Sequence, residues 1–351
     1  MLSALIHAPT LSFLCSSPQP KLGSCRSSMA YSSLVRIAVV GDVHDDWDLV
    51  EDTKALQFLK PDLVLFTGDF GNENVELVQN VAALNFPKAV ILGNHDSWNT
   101  QQFSGKRKDR VQLQLECLGQ EHVGYKRLDF PLLKLSIVGG RPFSCGGQQI
   151  FRKRLVSARY GVQDMEGSAK RIYEAAVGTP EDHLVILLAH NGPTAGLGSE
   201  LNDICGKDWV FEGGDHGDPD LAQAISHLKE TSTFSIPLVV FGHMHKELAY
   251  GNGLRKMIVV GTDNIIYLNA AIVPRVKRPI NEQQASYRSS IDNETSLHAS
   301  NSDGTKRAFT LVEILNGQVD KISENWVSVV GNETTLTEEH ILFKSNGRSS
   351  L

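Results

Sequence analysis

Apolar runs rich in β-branched residues recur along the chain at 35–40, 63–66, 89–92, 135–138, 184–189, 238–241 and 258–260, each followed by glycine or asparagine punctuation. Their character is continuous instead of alternating, which predicts strands covered on both faces. Between them the pattern turns helical at 49–60, 74–84, 110–118, 168–176 and 219–229. In the first of these, Leu49, Leu56 and Leu59 fall at helical spacing and Pro61 ends the run; in the last, Asp218 is placed to cap the helix and Pro219 fills its first position. Strand and helix in alternation predict an α/β fold with helices flanking sheet.

Three segments break that alternation. Residues 196–218 are rich in Gly and Asp, interspersed with Trp209, Phe211 and His216, and read as a long ordered loop, either a lid or a rigid excursion. Residues 279–306 are polar, rich in Ser and Asn, and read as a disordered insertion. Beyond them, 309–315 and 319–329 flank Asn316-Gly317, a pair favoured in tight hairpins, so two closing strands return the chain to the same domain. The expected organisation is a leader over 1–33, a single domain over 34–330 carrying both insertions, and a mobile polar tail over 331–351.

Composition narrows the function classes. The 351 residues are 41% hydrophobic, ample for one large core, and the formal net charge is −6. Without a long Lys/Arg run, a nucleic acid polymer is not an expected partner. The longest apolar stretches are about six residues, against roughly 20 for a bilayer span, so the mature chain is expected to be soluble with no membrane partner. The first 33 residues hold nine Ser, Lys21 and Arg26, and the first carboxylate of the chain is Asp42. That bias predicts a transit peptide, chloroplast ahead of mitochondrion, with a cytoplasmic chain as the remaining alternative. Cys15 and Cys25 fall in the leader, and Cys117, Cys145 and Cys205 are too widely spaced for a zinc knuckle or a disulfide framework.

The candidate chemistry sits where five of the apolar runs end. Gly41-Asp42-Val43-His44, Gly68-Asp69, Gly93-Asn94-His95-Asp96, His190-Asn191-Gly192 and Gly242-His243-Met244-His245 each follow a predicted strand. Ligands at the carboxyl ends of strands converge in the crevice where open α/β sheets bind substrate. Carboxylate, imidazole and amide oxygen, without thiolate, suit hard or borderline divalent ions. Two such ions about 3.5–4 Å apart can orient a phosphoryl group and acidify a water for in-line attack.

In this order the motifs resemble the calcineurin-like metallophosphoesterase superfamily, from residue 35 to about 268. The resemblance implies a four-layer α/β/β/α fold, with two packed mixed β-sheets flanked by helices. It implies that Asp42, His44 and His245 hold one metal, that Asn94, His190 and His243 hold a second, and that Asp69 bridges them. The two divalent ions would be Mn, Fe or Zn. His95 resembles the family residue that contacts substrate phosphate and assists the leaving oxygen, with Asp96 a candidate orienter of its imidazole.

Protein phosphatases of the superfamily resemble G-D-x-x-D-R-G, whereas this chain has Gly68-Asp69-Phe70-Gly71-Asn72-Glu73 and lacks the arginine. Arg141 is a candidate phosphate contact in its place, with a solvated surface arginine as the alternative. The expected function is therefore hydrolysis of a phosphomonoester or phosphodiester of a small metabolite or nucleotide, by a small-substrate branch of the superfamily. The competing reading is a non-catalytic metal-binding scaffold or interaction protein on the same fold. Retention of His95 and Asp69 favours the enzyme.

Overall fold

The computed structural model describes residues 34–194, 196–279 and 304–345. The expected leader, most of the expected insertion and the last six residues lie outside them. The alternate residues of each buried strand point into two different cores. Ile37 and Val39 of β1 (Leu34–Val40), Leu63 and Leu65 of β2 (Leu63–Phe66), and Ala89 of β3 (Lys88–Val90) belong to one apolar cluster. It also takes in Leu135 and Ile137 of β5 (Leu135–Gly139), Ile186 and Leu188 of β6 (Leu184–Leu188), and Leu238 and Val240 of β7 (Leu238–Phe241). The intervening residues, Ala38, Val40, Val64, Phe66, Val138, Val185, Leu187, Val239 and Phe241, pack on the helical side. A strand buried on both faces has no polar face to alternate with, which is why the runs are continuous in sequence.

The strands form two sheets. In the first, β1, β2 and β3 are parallel, and β11 (Thr305–Leu315), β12 (Gln318–Val330) and β13 (Glu333–Lys344) extend the β1 edge antiparallel, with the short β10 (Val276–Lys277) pairing β11. In the second, β5, β6, β7 and β9 (Ile266–Asn269) are parallel, flanked by antiparallel β4 (Arg127–Phe130) and β8 (Ile258–Val260). Helices α1 (Leu49–Leu59), α2 (Val75–Ala82) and α3 (Arg110–Leu118) give buried residues to the helical-side cluster, as do α4 (Lys153–Tyr160), α5 (Met165–Ala176) and α6 (Pro219–Thr231). This is the two-sheet, helix-flanked α/β architecture that the family resemblance implied. Among the described residues no helix is long and apolar enough to cross a membrane.

Four details depart from the sequence reading. Within the tail expected to be mobile, Glu333–Lys344 form β13, paired along β12 over Val330↔Glu333 to Lys321↔Lys344. It is an edge strand exposed along much of its length, so its ladder is made by backbone groups that leave little apolar pattern to read. Thr305 and Lys306, assigned to the insertion, begin β11. Strands β4, β9 and β10 and helix α4 have no counterpart in the sequence reading. Asp218 occupies the position before α6, but its carboxylate does not cap the helix; it is taken by Arg141 and Ser144. The Asn316-Gly317 turn is as expected, with both residues at positive φ of 52° and 79° closing β11 onto β12.

His122, on the loop whose backbone bridges to Val90, is buried with Nε2 unpartnered. Burial, helped by the charges of Lys126 and Arg159, lowers its pKa from 6.5 to about 3. The unfolded chain then binds the extra proton between those values, so this residue's contribution to stability is full above pH 6.5 and is lost as pH falls towards 3. We expect His122→Gln to flatten that acid limb. Between pH 7 and 4.5, urea unfolding should show the wild type losing up to about 2–3 kcal/mol more than the variant; equal losses would show that His122 does not titrate on unfolding.

Candidate metal centre

Five loops leave the carboxyl ends of strands from both sheets and meet at the seam between them. Asp42 and His44 follow β1, Asp69 follows β2 and Asn94 follows β3 by a short extension; His190 follows β6, and His243 and His245 follow β7. Two close approaches make the meeting possible. A Cβ on Gly41 would lie 1.9 Å from the Ala270 carbonyl oxygen beyond β9, and one on Gly242 would lie 2.2 Å from Asp42 Oδ1. Only glycine lets the two sheets approach this closely here.

The side chains form two groups, Asp42–His44–His245 and Asp69–His190–His243, each with its ligand atoms within 4.8 Å of one another. Each group combines residues of both sheets. In the first, His44 Nε2 and His245 Nε2 face each other at 3.0 Å. Asp42 Oδ2 faces His245 Nε2 at 3.4 Å and His44 Nε2 at 3.9 Å. In the second, His190 Nε2 lies 2.9 Å from Asn94 Oδ1 and 3.4 Å from Asp69 Oδ1. Asp69 Oδ2 turns the other way, 3.9 Å from His44 Nε2. One carboxylate thus touches both groups.

Outer contacts fix these orientations. His190 Nδ1 donates to the Thr67 carbonyl at 2.7 Å, which leaves Nε2 for the cluster. The His243 amide donates to Asp42 Oδ1 at 3.0 Å. His44, Asp69 and His243 all sit in the left-handed backbone region, with φ of 43°, 50° and 64°, a conformation that non-glycine residues hold only where the surroundings impose it.

The electrostatics match a cation site. Burial would raise the Asp42 carboxyl, but contact with His245 and the charges of His190, His245 and His44 outweigh it and hold it well below the usual carboxylate range. Asp69 is also lowered, His190 prevailing over burial. Burial opposes protonation of His190, yet Asp69 and Asp42 raise it to about 10; His243 is lowered to about 3 by burial and the His190 charge. Two desolvated carboxylates therefore demand positive charge, which a proton or a divalent ion can meet. Asp42 Oδ2 is buried without a hydrogen-bond partner, and the convergent nitrogen and oxygen donors fit two divalent ions.

Asp96 corrects the sequence reading. Its buried carboxylate accepts from the amides of Asp69 and Phe70, both at 2.9 Å, and of Gly93 at 2.7 Å, so it braces the backbone that carries Asp69. The partner of His95 is instead Asn72, whose Oδ1 lies 2.7 Å from Nδ1. The imidazole also meets His44 edge-on, with ring centroids 4.9 Å apart. Asn72 was visible in sequence only as part of the motif that lacks the protein-phosphatase arginine.

Arg141 is corrected as well. It is 2% exposed, with Nη2 bound to Asp218 at 2.7 Å, Nε bound to Asp220 at 2.9 Å and Nη1 donating to the Gln149 carbonyl. It is neither a solvated surface residue nor a free phosphate contact. The 196–218 loop is tied down in a comparable way. Arg255 donates to the carbonyls of Asp203 and Gly206 and pairs with Asp208 at 2.9 Å, while Ile204 and Cys205 are buried in the core. These ties are those of a rigid excursion. Its His216, which sequence reasoning left without a role, stacks on His243 with centroids 5.9 Å apart.

Comparison with known proteins gives the family. Residues 35–247, more than half of the chain, match the family described as calcineurin-like phosphoesterase. The chain belongs to that family. Among solved structures, the chain is similar to a purple acid phosphatase from seeds of yellow lupin (Lupinus luteus), at 12% identity and TM-score 0.44, over 88% of this chain and 54% of that one. It thus spans about half the length of the lupin enzyme. It is also similar to a dimetal phosphatase from Danio rerio, at 10% identity and TM-score 0.40, over 89% and 99% of the two chains. A hypothetical protein from Thermus thermophilus gives 11% identity and TM-score 0.39, over 84% and 99%. No curated protein matches the sequence.

If Asp69 joins the two groups, Asp69→Ala should lower metal occupancy at both sites in elemental analysis, whereas His245→Ala should chiefly empty one. Small and equal losses from the two variants would contradict the bridging role.

Proposed function

We propose that this phosphoesterase is a dinuclear-metal hydrolase that cleaves a phosphomonoester or phosphodiester bond of a small phosphorylated metabolite or nucleotide. The observation that carries this reading is the Asp69 carboxylate, with one oxygen towards His190 and the other towards His44. Mn, Fe and Zn all suit the donor set. When bound, two such ions supply Lewis acidity towards the phosphoryl oxygens and lower the pKa of an attacking water.

The chain's own part is positioning and proton transfer. Asn72 holds His95 by Nδ1, leaving Nε2 to face a substrate. In the imidazolium form, Nδ1–H donates to Asn72 Oδ1 while Nε2–H is available to protonate the leaving oxygen. Neutral Asn72 orients the ring without adding a second negative charge beside the departing alkoxide. With Arg141 engaged by Asp218 and Asp220, phosphate recognition falls to the metal cluster and His95, which favours a small ester over a phosphoprotein.

The Ser-rich, carboxylate-free leader supports import into a chloroplast as the destination. A reporter fused to residues 1–33 that remains cytosolic would refute this.

His95→Ala should reduce turnover by roughly 10²–10⁴-fold, the usual range for a positioned acid or base, with both metals retained. The defect should shrink for esters with acidic leaving groups, which need little protonation. Asn72→Ala should reproduce a weaker form of it. Asp96→Asn should instead reduce metal occupancy, because it loosens the backbone beneath Asp69. Metal retention without turnover of any phosphomonoester, cyclic nucleotide or dinucleotide would turn the reading towards a scaffold.

A further inference from the structure

The hydrogen bond from His95 to Asn72 fixes one ring atom, and His44 meets the imidazole edge-on. A third contact covers its face. The indole of Trp98 lies parallel to the His95 ring, with centroids 4.7 Å apart and planes 8° apart. Trp98 is 44% exposed, so a large aromatic ring is held beside the metal cluster with much of its surface outside the core. Partial burial alone is a weak reason for a fixed tryptophan.

The ring is held through its backbone and a neighbouring loop. His95–Ser97 form a single 3₁₀ turn, and the Trp98 amide closes it by donating to the His95 carbonyl at 3.1 Å. Arg152, arriving from the start of α4, donates Nε to the Ser97 carbonyl at 2.7 Å and Nη2 to the Trp98 carbonyl. Its guanidinium lies 4.4 Å over the Phe151 ring, and Phe151 in turn stands 6.2 Å from the Trp98 ring. Arg152 does this from the left-handed region, at φ 50°, a conformation that a non-glycine residue holds only where its surroundings impose it. The turn carrying His95 and Trp98 is therefore braced from a segment more than fifty positions away in sequence.

We propose that Trp98, held by Arg152, is a positioning residue for His95. It fixes the plane of the imidazole so that Nε2 addresses the leaving oxygen. An indole face suits this task because it attracts a charged ring and also stacks on a neutral one, so the contact persists through proton transfer. The inference rests on the reading of His95 as the leaving-group acid.

The test uses the metal-loaded full chain and a series of phosphate esters running from para-nitrophenyl through phenyl to alkyl leaving groups. Trp98→Ala should lower kcat about tenfold or more on the alkyl and phenyl esters, a loss in line with slight misplacement of a reacting group. KM and metal content should stay within about twofold, and the defect should shrink on the nitrophenyl ester. Trp98→Phe, which keeps an aromatic face, should restore most of kcat; Trp98→Leu, apolar but not planar, should not. Imidazole NMR of the metal-free protein supplies a readout independent of turnover. The His95 resonance, identified by its loss in His95→Ala, should report one ordered ring in wild type and Trp98→Phe, and an averaged ring in Trp98→Ala. An equally ordered His95 ring in Trp98→Ala overturns the proposal, as does full rescue by Trp98→Leu or a defect confined to KM. If His95→Ala itself loses turnover equally for all leaving groups, the acid role fails, while the NMR comparison still decides whether Trp98 orders the ring.

Discussion

Asp69 is buried, in a left-handed backbone conformation, with its two oxygens turned to imidazoles from different groups. A carboxylate in that position is stable only if positive charge and hydrogen-bond donors surround it. Much of the neighbouring architecture answers that need. The Asp69 amide is taken by Asp96, and the His95 amide donates to Asp69 Oδ1 at 2.8 Å. The imidazole of His190 is aimed at the same carboxylate from the opposite sheet. These contacts hold and neutralise Asp69 at once.

This arrangement depends on sheet packing. Each ligand group mixes residues from both sheets, so neither sheet alone assembles a site. The apolar cluster between the sheets holds the strand ends in register, and the close approaches at Gly41 and Gly242 bring the two sets of loops within ligand distance. Protein interiors deform little. A shift of the sheets would therefore separate the donors of both groups together.

Around the cluster the protein presents two different walls. On one side the excursion at 196–218 is tied by Arg255 and reaches His243 through His216. On the other side Asn72 and Trp98 bound the His95 ring, with Arg152 behind them. The first wall is joined to His243 of one candidate ligand group and the second to His95, whose amide in turn donates to Asp69. Asp96, expected to orient His95, instead braces the backbone that carries Asp69.

The sequence by itself determined the buried strands and the chemistry at their ends. Short continuous apolar runs rich in β-branched residues read as strands covered on both faces, and five of them closing on Asp, Asn and His in a fixed order place a candidate ligand set at the strand ends. Tertiary structure decided which neighbour each polar group meets. Arg141 finds Asp218 across 77 positions and His95 finds Asn72 across 23, and no local period encodes such pairs. The same holds for β13, whose ladder is formed by backbone groups common to every sequence and whose exposed side chains carry little apolar pattern. Local chemistry is written in residue type and spacing, whereas the pairing of polar groups is fixed only when two packed sheets bring distant loops together.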